Sequence, residues 1–236
     1  MKESERVNGK AVVLLSGGMD SSICLCLAIE EFGRENVYPL CFTYGQKHQE
    51  QEVLAAIQVA YNLEVLDKLI TYEIPFFRKL DDSALLNSKR SVKEKRVGTE
   101  LPDSFVPGRN IIFLTVAGAY AYKKGAHYIV GGMSQEDYSG YPDCRRIFID
   151  YLQQALNLGM DYEFEILTPL MFISKVEEIK LAQTTPDAMK ALSWSYTCYE
   201  GKVIPCGECP ACKLRIKAFQ EAGINDPYLE RIKNGR

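Results

Sequence analysis

Apolar residues along this chain fall into short solid runs and longer stretches with helical spacing, and the two kinds alternate. Residues 11–15 form a solid run, as expected of a strand buried on both faces. A helix is predicted over 21–32, stopped by Gly33. Residues 37–43 read as a second buried strand. Residues 49–62 place Val53, Leu54, Ile57 and Ala60 at helical spacing, and 63–70 read as a third strand. This alternation predicts an α/β fold, a doubly wound parallel sheet with right-handed crossovers. Ligands in such sheets sit beyond the carboxyl ends of the strands.

Beyond residue 104 the pattern resumes. A helix is predicted over 111–124, ended by Gly125, then a strand over 126–130 and a polar loop over 131–146. A helix over 148–158 and a strand over 164–168 follow, the latter ending before Pro169. Ser174-Lys175-Val176-Glu177 has the form of a capping box, and Thr185-Pro186 reads as another helix start with proline at its first position. The chain divides into a nucleotide-binding α/β domain over 1–190 and a helical, cysteine-bearing segment over 191–236. Residues 73–104 have no clear period. Their basic stretch, Lys89-Arg90-Ser91-Val92-Lys93-Glu94-Lys95-Arg96, reads as a solvated loop or, in a sharper alternative, as a flap closing over an anion.

The first strand drops into Ser16-Gly17-Gly18-Met19-Asp20-Ser21-Ser22 at the start of the first helix. Adjacent glycines let backbone N–H groups turn towards one anion, and the helix presents its positive end to the same place. Ser16, Ser21 and Ser22 add hydroxyls. The lysine of a Walker A loop is missing, and the spacing is not that of a dinucleotide fingerprint. An ordinary glycine turn is the plain alternative, but strand, loop and helix together favour a nucleotide.

Composition adds bounds. The 236 residues are 47% hydrophobic and 25% charged, as in soluble globular proteins. A net charge of −3 supplies no global basic field, which weighs against a nucleic-acid partner. The polar stretch before residue 11 does not resemble a signal peptide, and no apolar run reaches the about 18 residues of a membrane span. The expectation is a cytoplasmic protein.

Eight cysteines are present, and Cys198, Cys206, Cys209 and Cys212 crowd together. Four thiolates at this spacing suit a tetrahedral zinc with no open position, hence a structural clamp. An iron–sulfur cluster takes the same donors and remains a competitor. The segment Asp137-Tyr138-Ser139-Gly140-Tyr141-Pro142-Asp143-Cys144-Arg145 mixes carboxylates, rings and a hydroxyl, a set suited to a flat polar heterocycle. A polar surface loop is its plain alternative. Arg109 and Lys175 stand next to apolar segments, where either could neutralise phosphate charge. His48 lies just beyond the second strand at the ligand edge, while His127 reads as structural.

The pattern Ser16-Gly17-Gly18-x-Asp20-Ser21 resembles the pyrophosphate loop of the ATP-pyrophosphatase (PP-loop) superfamily. Together with Tyr44-Gly45-Gln46-Lys47-His48, Phe105-Val106-Pro107-Gly108-Arg109-Asn110, the Asp137–Arg145 loop and Thr197-Cys198-Tyr199-Glu200-Gly201, it resembles the QueC family of 7-cyano-7-deazaguanine (preQ0) synthases nearly end to end. The resemblance implies ATP-dependent conversion of 7-carboxy-7-deazaguanine and ammonia to the nitrile, through an adenylated acid and an adenylated amide, in queuosine biosynthesis. It implies magnesium on the phosphates, one structural zinc on Cys198, Cys206, Cys209 and Cys212, and a homodimer without a direct nucleic-acid or membrane partner.

By position it assigns the nucleotide to Leu15, Ser16, Gly17, Gly18, Met19, Asp20, Ser21, Ser22, Ile23, Cys24 and Leu25. Asp20, Arg109 and Lys175 would be catalytic. Tyr44, Gln46, His48, Arg109, Asp137, Tyr138, Ser139, Tyr141, Asp143 and Arg145 would bind substrate. The sequence departs from the family's pattern at Ser22-Ile23, Met133-Ser134-Gln135 and Arg146-Ile147. Rival readings are a related ligase joining the deazaguanine acid to another amine, a PP-loop tRNA-modifying enzyme and a nucleotide sensor without catalysis.

Overall fold

The computed structural model describes residues 8–79, 83–86, 89, 91–92, 98, 100–135 and 140–235. One five-stranded sheet is built from β1 (Ala11–Leu14), β2 (Val37–Thr43), β3 (Ile70–Glu73), β4 (Tyr128–Val130) and β5 (Glu165–Leu167), in the order β3-β2-β1-β4-β5. Every neighbouring pair is parallel; Ala11 lies opposite Val37 on one side and Tyr128 on the other. The chain runs outward from β1 through β2 to β3, then crosses to β4. The order reverses between β1 and β4, which opens a crevice at their carboxyl ends.

Among the described residues eight helices surround the sheet: α1 (Met19–Phe32), α2 (Gln49–Asn62), α3 (Arg109–Lys124), α4 (Arg146–Met160), α5 (Lys175–Thr184), α6 (Ala188–Trp194), α7 (Pro210–Glu221) and α8 (Pro227–Lys233). The period of the strands divides their side chains between two cores. Ala11, Val13 and Val130 pack with Ile23, Ala56, Ile179 and Leu192 from α1, α2, α5 and α6. Val12, Leu40, Ile129 and Ile166 pack on the other face with Leu114, Ala117 and Ile149 from α3 and α4. The expected doubly wound parallel sheet is therefore present.

Several boundaries differ from expectation for local reasons. The third strand starts only at Ile70: Leu63 and Val65 alternate as in a strand but plug the core below α2, and a 3₁₀ turn, Leu66–Lys68, intervenes. In α2 the buried face is Ala55, Ala56, Val59 and Ala60, while Leu54 is exposed. Pro186 is not the first residue of a helix. Asp187 adopts φ 60° at the cap of α6, and its carboxylate meets Arg34 Nη2 at 2.8 Å. The capping box at Ser174 is formed, with Glu177 Oε2 accepting from the Ser174 N–H at 2.7 Å. Within the aperiodic stretch Ser83, Ala84, Leu85 and Val92 are buried, and Lys89 is exposed. Arg90 and Lys93 to Arg96 lie outside the described residues.

The C-terminal segment is tied to the rest by one buried guanidinium. Arg215 on α7 donates from Nε and Nη2 to Asp226 at 2.6 and 2.9 Å, and from Nη1 to Ser195 Oγ and Thr197 Oγ1, each at 2.9 Å. Nη2 also reaches the Leu192 carbonyl at 3.1 Å. Asp226 in turn caps α8 by accepting from the Tyr228 N–H. α6 runs across position 190, and Ala218 and Phe219 of α7 share the core of α1, α5 and α6. Removing the cation strands a buried carboxylate, so Arg215→Ala is expected to cost about 3–5 kcal/mol of unfolding free energy. Urea denaturation followed by circular dichroism measures it.

Candidate active site

The loop after β1 is fixed from several sides. Gly17 has φ 85°, and a Cβ there would lie 2.6 Å from Ala56 N and Glu52 O, so α2 backbone occupies the space. Its carbonyl accepts from the Tyr196 N–H at 2.8 Å, which joins the C-terminal segment to the loop. Ser16 Oγ lies 3.0 Å from Ser21 Oγ and accepts from the Gly18 N–H at 3.2 Å; Ser21 and Ser22 donate to the Gly18 carbonyl. Gly132, after β4, packs against Asp20, with a built Cβ only 3.0 Å from Asp20 Cβ. The loop is thus a tight turn that opens α1 at the switch point of the sheet.

In front of it lies a cavity of about 320 Å³. Its walls come from Ser16, Gly18 and Asp20 after β1, Tyr44, His48 and Glu52 after β2, Arg109, Asn110 and Phe113 on α3, Met133 and Ser134 after β4, Lys175, and Tyr196 to Tyr199 without Cys198. Lys175 Nζ is buried between two carboxylates, Asp20 at 2.9 Å and Glu178 at 2.8 Å. Arg109 donates to the Tyr44 hydroxyl at 3.3 Å and lies over the Tyr141 ring at 5.5 Å. Burial works against its charge, but Tyr44, Tyr141 and Asp143 outweigh burial and raise its pKa further. Burial pushes the Tyr44 phenol up to about 12, and the neighbouring Tyr141 phenol, then burial, raises Tyr199. The site therefore holds fixed cations beside phenols that stay protonated.

The lining residues Thr197, Tyr199 and Ala211 are sequence neighbours of the cysteine cluster. The sulfurs of Cys198, Cys206, Cys209 and Cys212 all lie within 4.8 Å of one another, with Cys206 and Cys212 at 3.9 Å. A tetrahedral metal with bonds of about 2.3 Å spaces its sulfurs by roughly 3.8 Å, so the four donors fit one. Backbone N–H groups of Cys206 and Cys209 point at Cys198 and Cys206 sulfurs at 3.4 and 3.3 Å, the pattern that favours thiolates.

The QueC family model, described as queuosine biosynthesis protein QueC, matches residues 10–223. Proteins named 7-cyano-7-deazaguanine synthase are similar to the chain: that of Chromobacterium violaceum is 46% identical over 95% of this chain and 94% of its own length. That of Laribacter hongkongensis is 46% identical over 94% and 95%. The chain belongs to the QueC family. Among solved structures, a 4-thiouridine synthetase–RNA complex with bound ATP is 18% identical over 91% of this chain, of which this chain spans 50%, with a TM-score of 0.47. The U34-tRNA thiolase NcsA from Methanococcus maripaludis with its [4Fe-4S] cluster is 15% identical over 94% of this chain, of which this chain spans 66%, with a TM-score of 0.46.

For this QueC chain the structure brings Leu15, Ser16, Gly18, Met19, Asp20, Ser21, Tyr44, His48, Arg109, Tyr141 and Lys175 to one cavity. Gly17, Ser22, Ile23, Cys24 and Leu25 are buried beside it and do not line it. Gln46 is a brace: its Oε1 accepts from Tyr44 N and its Nε2 donates to Glu52 Oε2, both at 2.8 Å. Asp143 Oδ2 accepts from Asn110 N at the start of α3, and Arg145 is exposed away from the cavity wall. Asp137, Tyr138 and Ser139 lie outside the described residues. His127 sits at the opposite end of β4, stacked on Tyr162.

Sequence reasoning missed Glu52, Asn110, Ser134, Thr197, Tyr199 and Arg215 as lining groups. For Glu52 a signal existed, since His48 and Glu52 are four residues apart at a helix start and meet on one face. Among the departures, Met133 and Ser134 line the cavity, whereas Arg146 turns away to Asp150 and Thr168 and Ile147 is exposed.

Metal analysis of the purified chain is expected to give one ion per chain. Cys209→Ser should lower that content and the thermal midpoint together, as metal binding and local folding are linked. Full stability without metal would contradict a structural ion.

Proposed function

We propose that this chain converts 7-carboxy-7-deazaguanine and ammonia to 7-cyano-7-deazaguanine, with ATP split to AMP and pyrophosphate, in queuosine biosynthesis. The observation carrying this reading is that the serine–glycine loop, Arg109, Lys175 and an aromatic wall face one cavity at the switch point of the sheet, in a chain of the QueC family.

The chemistry requires a carboxylate oxygen to attack the α-phosphate while pyrophosphate leaves. The Ser16-Gly17-Gly18 loop and the N-terminus of α1 would receive the pyrophosphate through backbone N–H groups and hydroxyls. Lys175 and Arg109 would offset the charge that builds on the phosphate oxygens. Magnesium would accompany the ATP phosphates, and Asp20 offers it a carboxylate. Phe113, Tyr44 and Tyr141 would hold the flat base, and Ser134 Oγ, buried without a partner among the described residues, offers it a hydrogen bond. A second adenylation, on the amide oxygen, would use the same phosphate groups.

The metal is read as zinc, held by Cys198, Cys206, Cys209 and Cys212. Four protein sulfurs leave no position for a reacting group, so it would act as a clamp. Free ammonia is the nitrogen source in this reading, and the chain works in the cytoplasm; among the described residues no helix is long and apolar enough to cross a membrane. We also propose a homodimer. Ile147, Tyr151 and Leu158 project from one side of α4 at 59%, 66% and 86% exposure, an apolar stripe that a second copy would cover.

Incubation with ATP, magnesium, ammonia and the acid should yield the nitrile with two AMP and two pyrophosphate per product, read by mass spectrometry. An amide that goes no further would favour a related ligase, and no AMP at all would overturn the reading. Arg109→Ala and Lys175→Met are each expected to slow acid-dependent AMP formation by about 10²–10³-fold. Unchanged turnover in either variant would remove that residue from the site.

A further inference from the structure

The function proposed above needs a nitrogen nucleophile, and in neutral water ammonia is almost entirely ammonium, which has no lone pair. A group in the cavity that takes a proton would let the abundant ammonium, and not only the scarce neutral ammonia, form the C–N bond. Most of the cavity's ionisable groups are unfit. Asp20 is bound to Lys175 at 2.9 Å, Arg109 and Arg215 are cations held in hydrogen bonds, and burial keeps the Tyr44 phenol protonated.

His48 and Glu52 differ from these. His48 is 3% exposed and lines the cavity, and its Nε2 lies 3.4 Å from Glu52 Oε1. Its Nδ1 is buried with no hydrogen-bond partner among the described residues. Glu52 also lines the cavity, and its second oxygen is held by Gln46 Nε2 at 2.8 Å. Burial works against its charge, but His48 and Gln46 outweigh burial and hold the carboxyl below its ordinary range. Of the two neutral tautomers, a carboxylate facing Nε2 selects the one with its proton there, and in that form the Nδ1 lone pair is unused. Lone pair, carboxylate and the nearby Tyr44 and Tyr199 rings form a set suited to a small cation.

We infer that His48 and Glu52 form the ammonium site, with His48 Nδ1 as the catalytic base and Glu52 as its positioning residue. The inference rests on the ligase reading. Ammonium gives one proton to Nδ1, and the freed nitrogen lone pair forms the C–N bond at the adenylated carboxyl carbon. The C–O bond to AMP breaks with its electron pair on the phosphate oxygen. One further N–H proton leaves to water, and Nδ1 returns its own proton to water.

Hydroxylamine separates this role from a structural one, because it is a weaker base that is already neutral at physiological pH. With the full chain, ATP and the acid, His48→Asn is expected to lose about 100-fold in ammonium-dependent amide formation. Hydroxamate formation from hydroxylamine should fall at least tenfold less. Glu52→Gln should show the same selective defect with a smaller loss and a raised KM for ammonium. Equal losses with the two nucleophiles in both variants would overturn the inference. Wild-type protein forming neither amide nor hydroxamate would instead sink the ligase reading itself.

Discussion

The position of Gly17 constrains more of this molecule than any other. Its missing side chain lets α2 approach until a Cβ would stand 2.6 Å from the helix backbone, and its carbonyl is taken by Tyr196 N–H. The loop after β1 is therefore locked to α2, which carries Glu52, and to the segment that leads into the cysteine cluster. Any larger residue would have to push α2 outward and adopt an unfavourable backbone conformation at once. Through the same contact a metal held by the four cysteines, as proposed, would bear on the loop. Tyr196 is followed at once by Thr197 and Tyr199, which line the cavity, and by Cys198, which belongs to the cluster.

Further contacts carry this coupling around the cavity. Glu200 accepts from Lys47 Nζ at 2.9 Å and from Val92 N at 3.0 Å, so one carboxylate joins the tail to the segment after β2 and to the wall near Leu85. Gly201 packs against Lys47, whose carbonyl would lie 2.8 Å from a Cβ there. Arg215 holds Asp226, Ser195 and Thr197 from beneath. Side chains fixed by neighbours in this way lose little further freedom when a substrate arrives, which is what the two adenylations proposed above would require.

The sequence made some of this legible and hid the rest for physical reasons. β2 and α2 were readable to the residue, because a solid apolar run and a helical spacing are local signals. The strand–loop–helix unit at Ser16-Gly17-Gly18 was readable because an apolar run, a glycine pair and a helical stretch follow one another directly. The third strand was misplaced because Leu63 and Val65 share the strand period while packing as a plug. Arg215 and Tyr199 could not be found from spacing, since their partners lie on distant or different elements. Gln46 was assigned to substrate by the family resemblance, and in the structure its amide bonds to Tyr44 and Glu52. Short-range pattern locates a loop at the sheet edge; long-range contacts decide which of its side chains face the ligand.

The departures from the family pattern divide on the same principle. Arg146 and Ile147 follow the polar loop in sequence, but Arg146 is held by Asp150 at 2.8 Å and by Thr168 at 3.1 Å, and Ile147 faces outward from α4. Neither lines the cavity, although the Arg146 N–H donates to Gln135 Oε1 at 3.1 Å, next to Ser134. Met133 and Ser134 are also off-pattern, yet they emerge from the end of β4 directly into the cavity. A buried hydroxyl without a partner is costly unless a ligand satisfies it. Among the described residues Ser134 is such a hydroxyl, and it lines the same cavity as the loop after β1. In the function proposed, the edge of a polar ring would be met by Ser134, in the segment just past β4.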